Sequence, residues 1–167
     1  MILDLRQLLL NLDGLPMQEA ERATFEKYLD LYMDKTNPER GFGLLAAHDG
    51  AHVRIAQSRF EHAFYTKGDC GRNAFDLGRA TRVAWIGPII QGSVPGTECW
   101  AVPPKEAHRR PRARNRLYLI RHEPYVVWLE PSQDGGWWFS SAYPAGYGDI
   151  RRYCRLGRQT WARKKTP

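Results

Sequence analysis

Arg116-Leu117-Tyr118-Leu119-Ile120, Tyr125-Val126-Val127-Trp128-Leu129 and Trp137-Trp138-Phe139-Ser140-Ser141 follow one another in the last third of the chain. Each run is short, rich in aromatic and β-branched residues and bounded by turn formers, which is the pattern of β-strands. The links between them, His122-Glu123-Pro124 and Ser132-Gln133-Asp134-Gly135-Gly136, suit tight connections. An antiparallel meander is therefore predicted, with Glu98 to Val102 as a further strand before it and a short helix capped by Asp149 after it.

Outward from the meander, Phe75 to Ile90 reads as a helix, with Ala80, Val83, Ala84 and Ile86 on one face, Arg79 and Arg82 on its flanks and Gly87-Pro88 closing it. Val53-Arg54-Ile55 reads as a strand, and Arg59 to Tyr65 favours strand over helix. In a strand, Glu61 and Lys67 share a face with Arg59, while His62 turns the other way with Phe60 and Phe64. Behind Pro16, the residues Phe25, Tyr28, Leu29, Tyr32 and Met33 recur three and four apart, predicting an amphipathic helix that ends before Asn37-Pro38. The order α, β, α, then sheet is that of an α+β protein. Breaks at Gly41-Phe42-Gly43 and His48-Asp49-Gly50 divide the chain into a helical lead (1–49), a main domain (50–157) and a basic tail (158–167).

With 167 residues, 43% of them hydrophobic and 12% aromatic, the chain can bury one core, which excludes a disordered tail and a multidomain enzyme. Its apolar runs stop short of the roughly 20 residues of a membrane span, so no membrane partner is expected. Cys70, Cys99 and Cys154 form no CxxC pair, which argues against a disulfide framework or a zinc site and for a reducing cytoplasm. The formal charge of +7 is concentrated in Lys105, Arg109, Arg110, Arg112, Arg114 and Arg116 and in the tail from Arg151 to Lys165. Clustered arginine interleaved with aromatics points to a polyanion partner, against the plainer alternative of solvated faces.

No phosphate-binding glycine loop, GxGxxG or HExxH is present, so neither a nucleotide cofactor nor a metal is expected. His48 and His52 lie four apart, but Asp49 and Gly50 make their segment a loop rather than a ligand-bearing helix. Arg59-Phe60-Glu61-His62-Ala63-Phe64-Tyr65-Thr66-Lys67 is the sharper candidate. An imidazole titrates near neutrality and can take and return a proton, as cleavage of a phosphodiester by a ribose 2′-hydroxyl requires, although a packed histidine would look the same in sequence. Without a metal, the added phosphoryl charge must meet Arg, Lys and hydrogen-bond donors, for which Lys67, Arg79, Arg82, Arg116, Ser140, Ser141 and Tyr143 are candidates. Strand alternation puts Trp137, Phe139 and Ser141 on one face and Trp138 and Ser140 on the other, so one serine at most looks into a given cleft. The many tryptophans and tyrosines are first of all core, with a minority free to stack on bases.

Four blocks in order, Arg59-Phe60-Glu61-His62-Ala63-Phe64-Tyr65, Arg79-Ala80-Thr81-Arg82-Val83-Ala84-Trp85-Ile86, Tyr125-Val126-Val127-Trp128-Leu129-Glu130 and Gly136-Trp137-Trp138-Phe139-Ser140-Ser141-Ala142-Tyr143, resemble phage and mobile-element nuclease domains of the barnase–EndoU–colicin–RelE-like (BECR) class. The resemblance covers roughly residues 50 to 157. It implies a helix packed on a four-stranded antiparallel sheet and metal-independent RNA cleavage on the open face of that sheet. It further implies His62 as acid or base, Arg79 and Arg116 on phosphate, and Ser140 or Ser141 with Tyr143 at the scissile group. The obvious partner histidine is missing, since His108 lies in the basic loop and His122 in a turn. Together these readings predict an endoribonuclease, a toxin or phage effector acting on tRNA or other structured RNA, with substrate contacts at Lys67, Arg82, Arg109, Arg110 and Arg116. A cognate inhibitor or host protein would dock through residues 15–34. The alternatives are a non-catalytic nucleic-acid-binding module and an inhibitor or adaptor that binds protein.

Overall fold

Pro16 starts α1 (Met17–Tyr32), whose inward face is Ala20, Thr24, Tyr28 and Tyr32. In this computed structural model, which describes residues 2–67, 73–104 and 114–165, β1 (Phe42–Ala46) and β2 (His52–Ala56) follow. Next come a short helix α2 (Phe60–Phe64), a small hairpin of β3 (Tyr65–Lys67) and β4 (Asn73–Phe75), and two short helices, α3 (Leu77–Ala80) and α4 (Ile86–Ile90). The chain ends with β5 (Glu98–Val102), β6 (Asn115–Ile120), β7 (Tyr125–Pro131), β8 (Trp137–Pro144), α5 (Tyr147–Leu156) and β9 (Arg158–Ala162).

The expected four-stranded antiparallel sheet with one packed helix is not what forms. The protein is mixed α/β, with a seven-stranded sheet in the order β1-β2-β8-β7-β6-β5-β9 and a separate two-stranded sheet of β3 and β4. The meander of β5 to β8 is antiparallel throughout, but β2 adds to it in parallel through Val53↔Trp137 and Arg54↔Trp138. The sheet is larger than expected because two segments read as breaks or tail are extended. Gly43 lies inside β1, where a Cβ would stand 1.7 Å from the Tyr32 carbonyl oxygen, so glycine here lets a strand run against the end of α1. Arg158–Ala162 pairs with β5 and closes the opposite edge.

A strand expectation and a helix expectation also change. Arg59 to Phe64, expected as strand, is the end of a 3-10 turn running into α2, because Phe60, Ala63 and Phe64, spaced for one helix face, all reach the core; only Tyr65 is extended, as the start of β3. Phe75 to Ile90 is broken: Asp76 caps α3 by accepting the Arg79 N–H, and the backbone leaves helical geometry at Arg82 before resuming in α4. At the C-terminus Gly146, not Asp149, is the cap of α5, and Asp149 pairs with Arg152 within the first turns.

One core joins α1, the sheet and the middle helices. It holds Tyr28, Tyr32, Val53, Ile55, Phe64, Trp85, Ile86, Tyr118, Val127 and Phe139. Tyr28 donates to the Ala56 carbonyl at 2.7 Å and Tyr32 to the Val83 carbonyl at 2.6 Å, so α1 is tied to β2 and to the middle segment by buried polar bonds as well as by apolar area. The other sheet face packs Leu117, Leu119 and Val126 against Ile150 of α5. Among the described residues no helix is long and apolar enough to cross a membrane.

Candidate functional site

After its two pairs with β8, β2 turns away into α2, so the edge of β8 beyond Trp138 is met by α2 and α3 instead of another strand. Between these elements and the β3–β4 hairpin lies a cleft of about 900 Å³. Its lining includes Glu61 and His62 from α2, Lys67 from β3, Arg79 from α3, and Ser141 and Tyr143 from β8. Five candidate residues singled out in the sequence, His62, Lys67, Arg79, Ser141 and Tyr143, thus share one opening.

The facing of β8 is set by a bulge. Trp128 pairs with Ser141 and Leu129 with Phe139, which leaves Ser140 as the extra residue. The slip overturns the simple alternation: Phe139 and Ala142 both enter the core, and Ser141 lines the cleft with Tyr143. Ser140 is buried beside it, donating to Glu130 Oε1 at 3.2 Å and receiving Arg59 Nη2 at 3.4 Å.

His62 is exposed on α2. Partial burial of its ring pushes its pKa below the ordinary value; Arg59 and Arg79 add to the effect and Glu130 opposes it. At neutral pH the imidazole is therefore unprotonated and able to accept a proton. Arg79 lies over the Tyr143 ring, 4.7 Å from its centroid, and donates Nη1 to the Ala63 carbonyl at 3.1 Å, while Asp76 stands 3.8 Å from its Nε. The Tyr143 hydroxyl accepts Trp128 Nε1 at 3.0 Å and bonds the Tyr153 hydroxyl at 3.0 Å. Burial, reinforced by the bond to Tyr153, raises its pKa, so it keeps its proton throughout the physiological range. Comparison with family models, with curated proteins and with solved structures found no match. The chemistry of the cleft has to be argued from its own geometry.

Two other candidate arginines lie elsewhere. Arg82 donates Nη1 to the Gly78 carbonyl at 2.6 Å and stacks over Trp85, bracing the break between α3 and α4. Arg116 forms a two-pronged pair with Asp49, at 3.2 and 2.9 Å, and lies over the Trp137 ring in a second opening of about 470 Å³. His48 lines that opening too, stacked on Trp161 and bonded through Nδ1 to the Tyr118 hydroxyl at 2.7 Å; His52 begins β2. Arg109 and Arg110, like Lys105, Arg112, His108 and Cys70, lie outside the described residues.

Sequence reasoning missed Tyr65 and Asn73 in the cleft wall and Tyr153 as the partner that holds Tyr143. The first two had a signal: Gly68 and Gly71 separate two short extended triplets, as in a hairpin. Burial and the neighbouring Glu21 carboxylate push the Tyr65 hydroxyl up to about 12, so this side of the cleft also carries a protonated phenol.

Proposed function

We propose that the chain is a metal-independent endoribonuclease that cleaves RNA by transesterification in the cleft between α2, α3 and β8. What supports this reading is the convergence there of an unprotonated imidazole, His62, two cations, Lys67 and Arg79, and a protonated phenol, Tyr143. The ribose 2′-hydroxyl gives its proton to His62 as its oxygen attacks phosphorus. The bond from phosphorus to the 5′-oxygen then breaks, leaving a 2′,3′-cyclic phosphate on one fragment and a 5′-hydroxyl on the other. No other histidine among the described residues lines the cleft, so Lys67 or Tyr143 returns a proton to the leaving oxygen. Arg79 and Lys67 offset the charge that gathers on the phosphoryl oxygens. DNA, which lacks the attacking hydroxyl, is not cleaved. The setting suggested by the resemblance, a phage or mobile-element effector acting on tRNA or other structured RNA, belongs to this proposal.

The test is incubation of the purified protein with total bacterial RNA and with tRNA in EDTA, followed by analysis of the fragment ends. Cyclic phosphate ends, and no cleavage of RNA carrying 2′-O-methyl groups, are the expected result; a folded protein that cuts neither pool would overturn the reading. A non-catalytic RNA-binding module is the second reading, favoured by the bonds that already engage Arg79 and Tyr143 within the fold. It predicts retention of RNA without new ends.

A further inference from the structure

The face of α5 turned away from the sheet is not explained by folding. Ile150, Tyr153 and Cys154 pack toward the sheet, and the opposite side presents Tyr147, Arg151 and Arg155, spaced four apart on one stripe. Arg152 is next to Arg151 on the helix, Arg158 follows just past its end at the start of β9, and all four arginines are exposed. Arg151 and Arg155 are like charges at i,i+4, an arrangement that costs a helix stability. The single acid of α5, Asp149, is taken up by Arg152 at 3.1 Å. Tyr147 leaves 62% of its surface in solvent, a large aromatic at the head of a row of cations.

This stripe begins where the cleft ends. Only Pro144-Ala145-Gly146 separates Tyr143, in the cleft wall, from Tyr147, and the Tyr143 hydroxyl is bonded to Tyr153 on the inner side of the same helix. We propose that the Tyr147–Arg151–Arg155 stripe, with Arg152 and Arg158 beside it, is a track for single-stranded RNA. Tyr147 stacks a base of the strand leaving the cleft, and the arginines follow its phosphates along the roughly 15 Å of the helix. The direction of the track rests on the nuclease reading, but its existence can be tested without it.

The probe is a fluorescent 2′-O-methyl dodecaribonucleotide, which has no attacking hydroxyl, titrated by anisotropy at several salt concentrations. Removing two phosphate contacts in an Arg151→Ala, Arg155→Ala double variant lowers the slope of log affinity against log salt by about 1.4. Tyr147→Ala weakens binding by about 5- to 160-fold with the slope unchanged. A control double variant, Lys27→Ala with Lys35→Ala, removes the same charge from the α1 region and leaves both quantities at the wild-type values. Cleavage of a ribodinucleotide, too short to reach α5, is the same in all of these variants. Wild-type binding by the α5 variants, an equal loss in the control, or capture by anionic phospholipid vesicles but not by the oligonucleotide overturns the track. If the oligonucleotide binds as expected and no RNA is cut, the track stands and the nuclease reading falls; cutting with unaltered binding has the opposite meaning.

Discussion

Two clusters in this protein are built from the same three side chains: His62, Arg79 and Tyr143 in the cleft, and His48, Arg116 and Tyr118 beneath β6. Their arginines are about equally covered, with 18% of the Arg79 side chain and 17% of the Arg116 side chain exposed, so burial does not separate them. Their partners do. Arg116 is held by both oxygens of Asp49 and His48 is bonded to Tyr118, so an anion supplied by the chain already occupies the position an outside phosphate would take. In the cleft, Asp76 stays 3.8 Å from Arg79 and the His62 ring has no hydrogen bond among the described residues. The same composition is closed in one place and open in the other, and the second and third residues of each set matter less than whether a carboxylate completes it.

The largest expected effect divides the two histidines. His62→Ala lowers the cleavage rate by about 10² to 10⁴-fold, the usual contribution of a general base, and leaves the melting temperature unchanged because the side chain is exposed. His48→Ala leaves the rate intact. Next comes Arg79→Ala, with a loss of about 10²-fold in kcat/KM read alongside thermal unfolding, since the same guanidinium also ties α3 to α2 through the Ala63 carbonyl.

The pH profile sharpens the contrast. A base whose pKa is lowered by burial and neighbouring cations stays available until the pH falls below that pKa, so the acid limb of the rate lies below about pH 6.5. Arg59→Ala removes a cation that depresses His62 and moves the limb upward, whereas Glu130→Gln removes an opposing charge and moves it downward.

Much of the cleft was legible because local blocks carry its parts: His62 and Lys67 lie within six residues of each other, and Arg79 and Tyr143 head or close recognisable runs. What could not be read was pairing at a distance. Asp49 and Arg116 are 67 residues apart, and nothing in either neighbourhood announces the bridge that takes Arg116 out of the candidate site. The facing of Ser140 and Ser141 turned on one bulge opposite Leu129, which alternation cannot anticipate. In the fold, β5 to β8 were evident from long β-prone runs, but β1 and β9 were hidden by glycine and arginine, and α2 is a five-residue helix whose aromatics resemble a strand.

Smaller effects belong to the closed cluster and appear in stability alone. Asp49→Ala leaves a largely covered guanidinium without its partner and costs about 1–2 kcal/mol, less than for a fully buried pair because Asp49 is partly in solvent. Tyr118→Phe removes the hydroxyl bonded to His48 and costs about 1 kcal/mol. Chemical denaturation measures both, with cleavage unchanged.

The most direct test of the contrast is an NMR titration of the two imidazoles with a 2′-O-methyl oligoribonucleotide, their resonances assigned through His62→Ala and His48→Ala. The account predicts that His62 shifts on binding and that its pKa rises as phosphate arrives, while His48 stays where it was. A response from His48 with His62 silent would contradict it.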